Sequence, residues 1–176
     1  FILVLCLSLY VNHSCKEKTE EAGGSMLSGL IKPIDGRSMR STSTKKGADG
    51  KPIPHNADNL KVKPGESQIV LQAEGPGIVK HMWFTFLGPG KHPWAPEGSA
   101  THQEMLLRVY YDGREEPGVE VPFGDFFANC FGRRSEVVSL PVVVEDGDSY
   151  NSFWPMPFRE SIRIEVVNQS KNKNIN

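Results

Sequence analysis

From Val62 onward the chain offers no convincing helix of ten residues or more; it is a series of short β-type runs broken by glycine and proline. That punctuation constrains the fold more than any other feature, because proline removes a ladder donor and glycine weakens a strand interior. Ser67-Gln-Ile-Val-Leu-Gln-Ala73 reads as a strand, entered by the turn Val62-Lys-Pro-Gly-Glu66 and broken by Gly75-Pro-Gly77. Ile78 to Leu87 alternates, with Ile78, Lys80, Met82, Phe84 and Phe86 on one face and Val79, His81, Trp83, Thr85 and Leu87 on the other. Both faces are largely apolar, which predicts a central strand. Gly88 to Gly98 holds Pro89, Pro93 and Pro96 and predicts a long loop. Met105-Leu-Leu-Arg-Val-Tyr-Tyr111 is the next strand, ended by the hairpin dipeptide Asp112-Gly113. Val119–Val121, Val137–Leu140, Val142–Val144 and Ser161–Val167 complete the set, with Ile162, Ile164 and Val166 on one face. Such a pattern argues an all-β antiparallel sandwich or barrel. Long loops and even spacing favour a jelly roll over an immunoglobulin-type domain, which would show a Cys…Trp…Cys pattern.

The chain has 176 residues, enough for one ordinary domain with a core. A net charge of -1 and the lack of a basic stripe give no field for nucleic acid, so no nucleic-acid partner is expected. Phe1 to Val11 is almost wholly apolar, too short to span a bilayer but of the length of a signal-peptide apolar core. Residues 1–15 are therefore expected to be an export signal that begins upstream of Phe1. The expected location is periplasmic, anchored at a bacterial outer membrane, or extracellular. Cys15 stands where a bacterial lipoprotein carries its lipid anchor, although Asn12-His-Ser14 fits that cleavage motif poorly. Cys6, Cys15 and Cys130 make neither a disulfide framework nor a metal spacing. Residues 16–63 read as a polar linker and extended arm, 64–170 as the β domain, and 171–176 as the start of a further half.

Two blocks stand out: Val121-Pro-Phe-Gly-Asp-Phe-Phe127 and Ser149-Tyr-Asn-Ser-Phe-Trp-Pro-Met-Pro-Phe158. Each packs proline, aromatics and a few polar groups into a short span and is expected to be a shaped surface loop, where sites often lie. Asp125 sits between Gly124 and Phe126-Phe127. Its carboxylate is either desolvated by those rings or a structural cap that accepts backbone N–H bonds. Glu145-Asp-Gly-Asp148 reads as a solvated turn, with calcium binding as the alternative. The five histidines lack metal spacing, and there is no Gly-x-Ser-x-Gly and no phosphate-cradling glycine loop. No cofactor or metal is expected. Trp83, Trp94, Phe126, Phe127, Tyr150, Phe153, Trp154 and Phe158 could form a flat platform for a sugar, although at least half of these rings must be core.

The order of Gly75-Pro-Gly-Ile-Val-Lys-His-Met-Trp83, Leu106 to Gly113, Pro117 to Phe127, Tyr150 to Phe158 and Ile164 to Asn168 resembles glycoside hydrolase family 172, formerly domain of unknown function 2961. The match spans roughly residues 37–168. The resemblance implies two tandem jelly rolls, of which this chain carries the first. It also implies a homotrimer or dimer of trimers with the active site at a subunit interface. The implied activity is retaining hydrolysis of α-linked arabinofuranose- or fructofuranose-type sugars in an oligo- or polysaccharide. The two catalytic glutamates would follow Asn176, so no catalytic residue is assigned in this sequence. Substrate-binding positions implied by the motifs are Asn56, Asp58, Asp125, Phe126, Trp154 and Met156. Asn56-Ala-Asp58 is the weakest transfer, because the loop before it is longer than the family's form. The alternative is a non-catalytic jelly roll that binds carbohydrate or serves assembly.

Overall fold

The computed structural model describes residues 36–53, 59–146 and 148–176. Ten strands and one short helix run in chain order. They are β1 (Ser67–Glu74), β2 (Gly77–Val79), β3 (Met82–Thr85), β4 (Met105–Tyr111), β5 (Val119–Pro122), α1 (Phe123–Phe126), β6 (Val137–Val138), β7 (Val142–Glu145), β8 (Ser149–Ser152), β9 (Met156–Phe158) and β10 (Ser161–Asn168). Two four-stranded antiparallel sheets have the orders β1-β10-β4-β5 and β3-β8-β7-β6, and β2 pairs with β9. The protein is an all-β, sandwich-like fold. The pairs β1·β10, β2·β9 and β3·β8 nest inside one another, first strand with last, while β4–β5 and β6–β7 close as local pairs.

Alternation explains the core. Met105, Leu107 and Val109 point inward from β4, and Ile162, Ile164 and Val166 from β10. Met82, Val142, Val144 and Tyr150 fill the same core from the other sheet. The run Ile78–Leu87 is not one central strand. It divides at Lys80-His81 into β2 and β3, and β3 is an edge strand. The break inserts an odd step, so Val79 packs against the core while Ile78 is exposed, and Met82 and Phe86 then face inward. Ser149–Phe158 is likewise not a surface loop throughout. It supplies β8 and β9, because Tyr150 is fully buried between β3 and β7.

Arg40–Asn176 form one unit. Of the unit before it, only residues 36–39 are described, with the Arg37 guanidinium 3.6 Å from the Met39 sulfur. The arm reaches the exposed edge of β1 at its irregularity, where Ser41 Oγ donates to the Val70 carbonyl at 2.6 Å. Residues 171–176 are stitched to the same unit. Ile175 exchanges backbone bonds with Val62, and the Leu87 and Ala100 N–H groups donate to Asn176 and Asn174. The unit thus takes in residues beyond the 64–170 boundary expected from sequence. Cys6, Cys15 and the signal-like start lie outside the described residues. Cys130 is a free thiol. Among the described residues no helix is long and apolar enough to cross a membrane.

Asp112-Gly113 does turn the chain, both with positive φ, but β5 begins only at Val119. The aspartate has a second task. Its Oδ1 accepts the Glu160, Arg159 and Ser161 N–H groups at 2.8, 2.9 and 3.4 Å, fastening the β9–β10 turn. These donors, Glu160 first, hold the Asp112 carboxyl below the usual carboxylate range. A carboxyl lowered on folding stabilises the fold above its unfolded pKa, about 3.9, and that contribution fades as pH falls through the folded value. Asp112→Asn is expected to lower the melting temperature near neutral pH and to flatten its decline in acid. An unchanged acid limb in a series of melts against pH would refute this role.

Candidate functional site

The Val121–Phe127 block builds the site from the inside outward. Pro122 ends β5 and precedes α1, a single turn closed by Phe127 N–H to Gly124 O at 3.1 Å and Asn129 N–H to Gly124 O at 2.8 Å. Phe123 and Phe127 are buried, and Asp125 and Phe126 are left half-buried on the other side. Phe84, Phe86, Phe123, Phe127 and Tyr150 form one ring cluster with centroids 4.9–6.2 Å apart. Tyr150 belongs to the second block, so the two blocks meet in this cluster. A buried ring set of this kind fixes the helix against the sheet.

Asp125 is half-buried, and a side chain rather than backbone N–H groups holds its carboxylate. Its Oδ1 accepts the Gln103 side-chain amide at 2.8 Å. The same amide lies 3.4 Å from the Asn129 carbonyl. Asn129 in turn bonds both backbone groups of Ser135, Nδ2 to O at 3.0 Å and Oδ1 from N–H at 2.8 Å. The carboxylate is therefore positioned by side chains and keeps acceptor capacity for a ligand hydroxyl. Phe126 offers a half-buried apolar ring beside it, 5.1 Å from Phe127.

His102 has no role that the sequence pattern announces. It is buried against Gly124, and its Nε2 has no protein hydrogen-bond partner. Burial first, and then the Arg134 charge, lower its pKa, while a bond to the Asn129 carbonyl opposes them. That bond falls to Nδ1–H, so Nε2 carries the lone pair of a neutral ring. Phe86, Pro89, Thr101, His102, Gly132 and Arg134 line a cavity of about 40 Å³. It has room for one water or one hydroxyl, not for a sugar ring. The only cue to His102 in the sequence is Gly124, whose missing side chain makes space for the imidazole.

Trp154 lies on the β8–β9 connection, half-exposed, with its backbone N–H donating to Ser152 Oγ at 3.4 Å. Met156 is buried on β9 opposite Val79 and belongs to the core, so it is not exposed to touch a ligand. Asn56 and Asp58 lie outside the described residues. Among the described residues no three His, Cys, Asp or Glu side chains are grouped to hold a metal ion, and Gly147 of the acidic turn is not described. No curated protein matches the chain. A family model described as GH172 domain-like matches residues 53–176, which takes in β1 to β10 and both aromatic blocks, and the chain belongs to this glycoside hydrolase family.

Proposed function

We propose that this chain is the first jelly roll of an exported glycoside hydrolase that cleaves α-linked arabinofuranose- or fructofuranose-type sugars with retention. The nucleophile and the acid/base are two glutamates outside residues 1–176. In this reading the roll contributes binding rather than chemistry: Asp125 accepts a sugar hydroxyl, Phe126 and Trp154 pack against apolar ring faces, and Met156 anchors β9 in the core. Asn56 and Asp58 join the same pocket, and assembly as a trimer or dimer of trimers completes it. The observation that carries the reading is the family match over residues 53–176, together with a half-buried Asp125 held by Gln103.

The test uses a reading frame that continues past Asn176. The protein should release arabinose or fructose from α-arabinofuranosides or α-fructofuranosides, and the sugar first released should keep the α configuration. Asp125→Asn should raise KM more than it lowers kcat, as expected of a residue that binds the sugar without joining the chemistry. Release of neither sugar would count against the hydrolase, and a β product against retention. A non-catalytic carbohydrate-binding role is the second reading, favoured by the outward rings of Trp83, Phe153 and Trp154.

A further inference from the structure

The sheet β3-β8-β7-β6 has two faces of different chemistry. Phe84 points inward, its ring 5.2 Å from Phe123 and 6.2 Å from Phe127. Strand alternation therefore turns Trp83 to the opposite face, away from α1, where it is 58 % exposed. Trp83 pairs with Asn151, Asn151 with Val143, and Val143 with Val138, so these four cross the outer face in one row. Thr85, Ser149 and Glu145 form the next row.

The Trp83 indole N–H donates to Ser149 Oγ at 3.0 Å. That bond satisfies the polar edge of the ring and fixes its plane, which leaves the π face available. Beside it, His81 Nε2 and Asn151 Oδ1 are 3.1 Å apart, and the His81 ring stacks on Phe153 at 4.7 Å and 11°. The Asn151 amide also reaches Ser149 Oγ at 3.5 Å. It keeps a further hydrogen and a further lone pair beyond these bonds.

We propose that this outer face is a docking platform for a neutral polysaccharide, separate from the α1 site. Trp83 stacks on the C–H face of one sugar ring, while Asn151 and His81 exchange hydrogen bonds with its hydroxyls. Two features choose this occupant over an anionic polymer or an acidic peptide. Neither row contains Lys or Arg, so nothing there complements an anion. The polar groups beside the indole are an amide, a hydroxyl and an imidazole, which donate and accept as sugar hydroxyls do. The proposal rests on the carbohydrate reading of the family and adds a site that tethers polymer without cleaving it.

Affinity electrophoresis of the full 176-residue chain in gels containing arabinan, levan or galactomannan tests it, with dextran sulfate as the charged control. Retardation is expected in at least one neutral polymer and not in dextran sulfate. Trp83→Ala should weaken it by about tenfold, and Trp83→Tyr, which keeps a ring face, should retain much of it. Asn151→Ala gives a second variant if Trp83→Ala fails to fold, and it should weaken retardation in the same gels. No retardation in any neutral gel overturns the proposal, as does equal retardation of folded variant and parent. A fall in sedimentation mass in Trp83→Ala also overturns it, because it would make the face a contact between copies. Sugar release by the longer reading frame is read separately: hydrolysis without retardation removes only the platform, and retardation without hydrolysis removes only the hydrolase.

Discussion

Gly124→Ala is expected to destabilise the protein by about 3 kcal/mol, the upper end of the usual cost of overpacking a core. A Cβ at this position would overlap His102 Cδ2 and come within 2.6 Å of the Asn129 carbonyl. Neither neighbour can retreat. His102 and Asn129 are both buried, and Asn129 is held at each end of its amide by Ser135. Gly124 is also the acceptor for Phe127 and Asn129 N–H groups, so a shift of its backbone would break the turn that carries Asp125. For a domain of this size the melting temperature should fall by roughly 6–12 °C. Gly90→Ala is the matched control, since a Cβ added there would meet nothing within 4 Å and its φ is ordinary. If urea midpoints of the two variants agree, His102 does not pack on Gly124 as described, and the cavity beside it loses its wall.

The same kind of packing explains why the two aromatic blocks are visible in the sequence while their roles are not. Gly75 and Gly77 lie under the Phe158 ring, where a Cβ would approach to 2.7 and 2.5 Å, and β2 pairs with β9 at this point. Gly124 lies under His102 in the same way. Each motif glycine is thus half of a contact whose other half is distant in the chain, and a single sequence shows the glycine but not its partner. Strands β4 and β10 are legible because alternation over seven or eight residues has one interpretation. The run Ile78–Leu87 misleads because both of its faces are apolar, and the shift at Lys80-His81 leaves no mark in such a pattern. β9 is hidden by Pro157 within it and Pro155 just before it, since a proline on a short strand looks like loop punctuation. Asp125 stands out by its setting, but its partner Gln103, 22 positions earlier, carries no local signal.

Two adjacent phenylalanines separate support from contact. Phe127→Ala is expected to cost about 3–5 kcal/mol, because it empties a fully buried ring site in the cluster. Phe127 touches Phe84, Phe123, Phe126 and Tyr150 with centroids 6.2, 4.9, 5.1 and 5.5 Å away. These rings belong to β3, α1 and β8, so the hole left behind would be shared by three elements that cannot close on it together. Phe126 is only partly buried and should cost about 1–2 kcal/mol when truncated, the transfer value of a side chain that keeps one face in water. Denaturant midpoints of the two alanine variants measure the difference directly. Sugar affinity should divide the other way: Phe126→Ala weakens binding in a protein that still melts cooperatively, while Phe127→Ala loses binding only as far as it loses the fold. Equal stability losses would mean that both rings are structural, and Asp125 would then stand without an apolar neighbour to complete a sugar site.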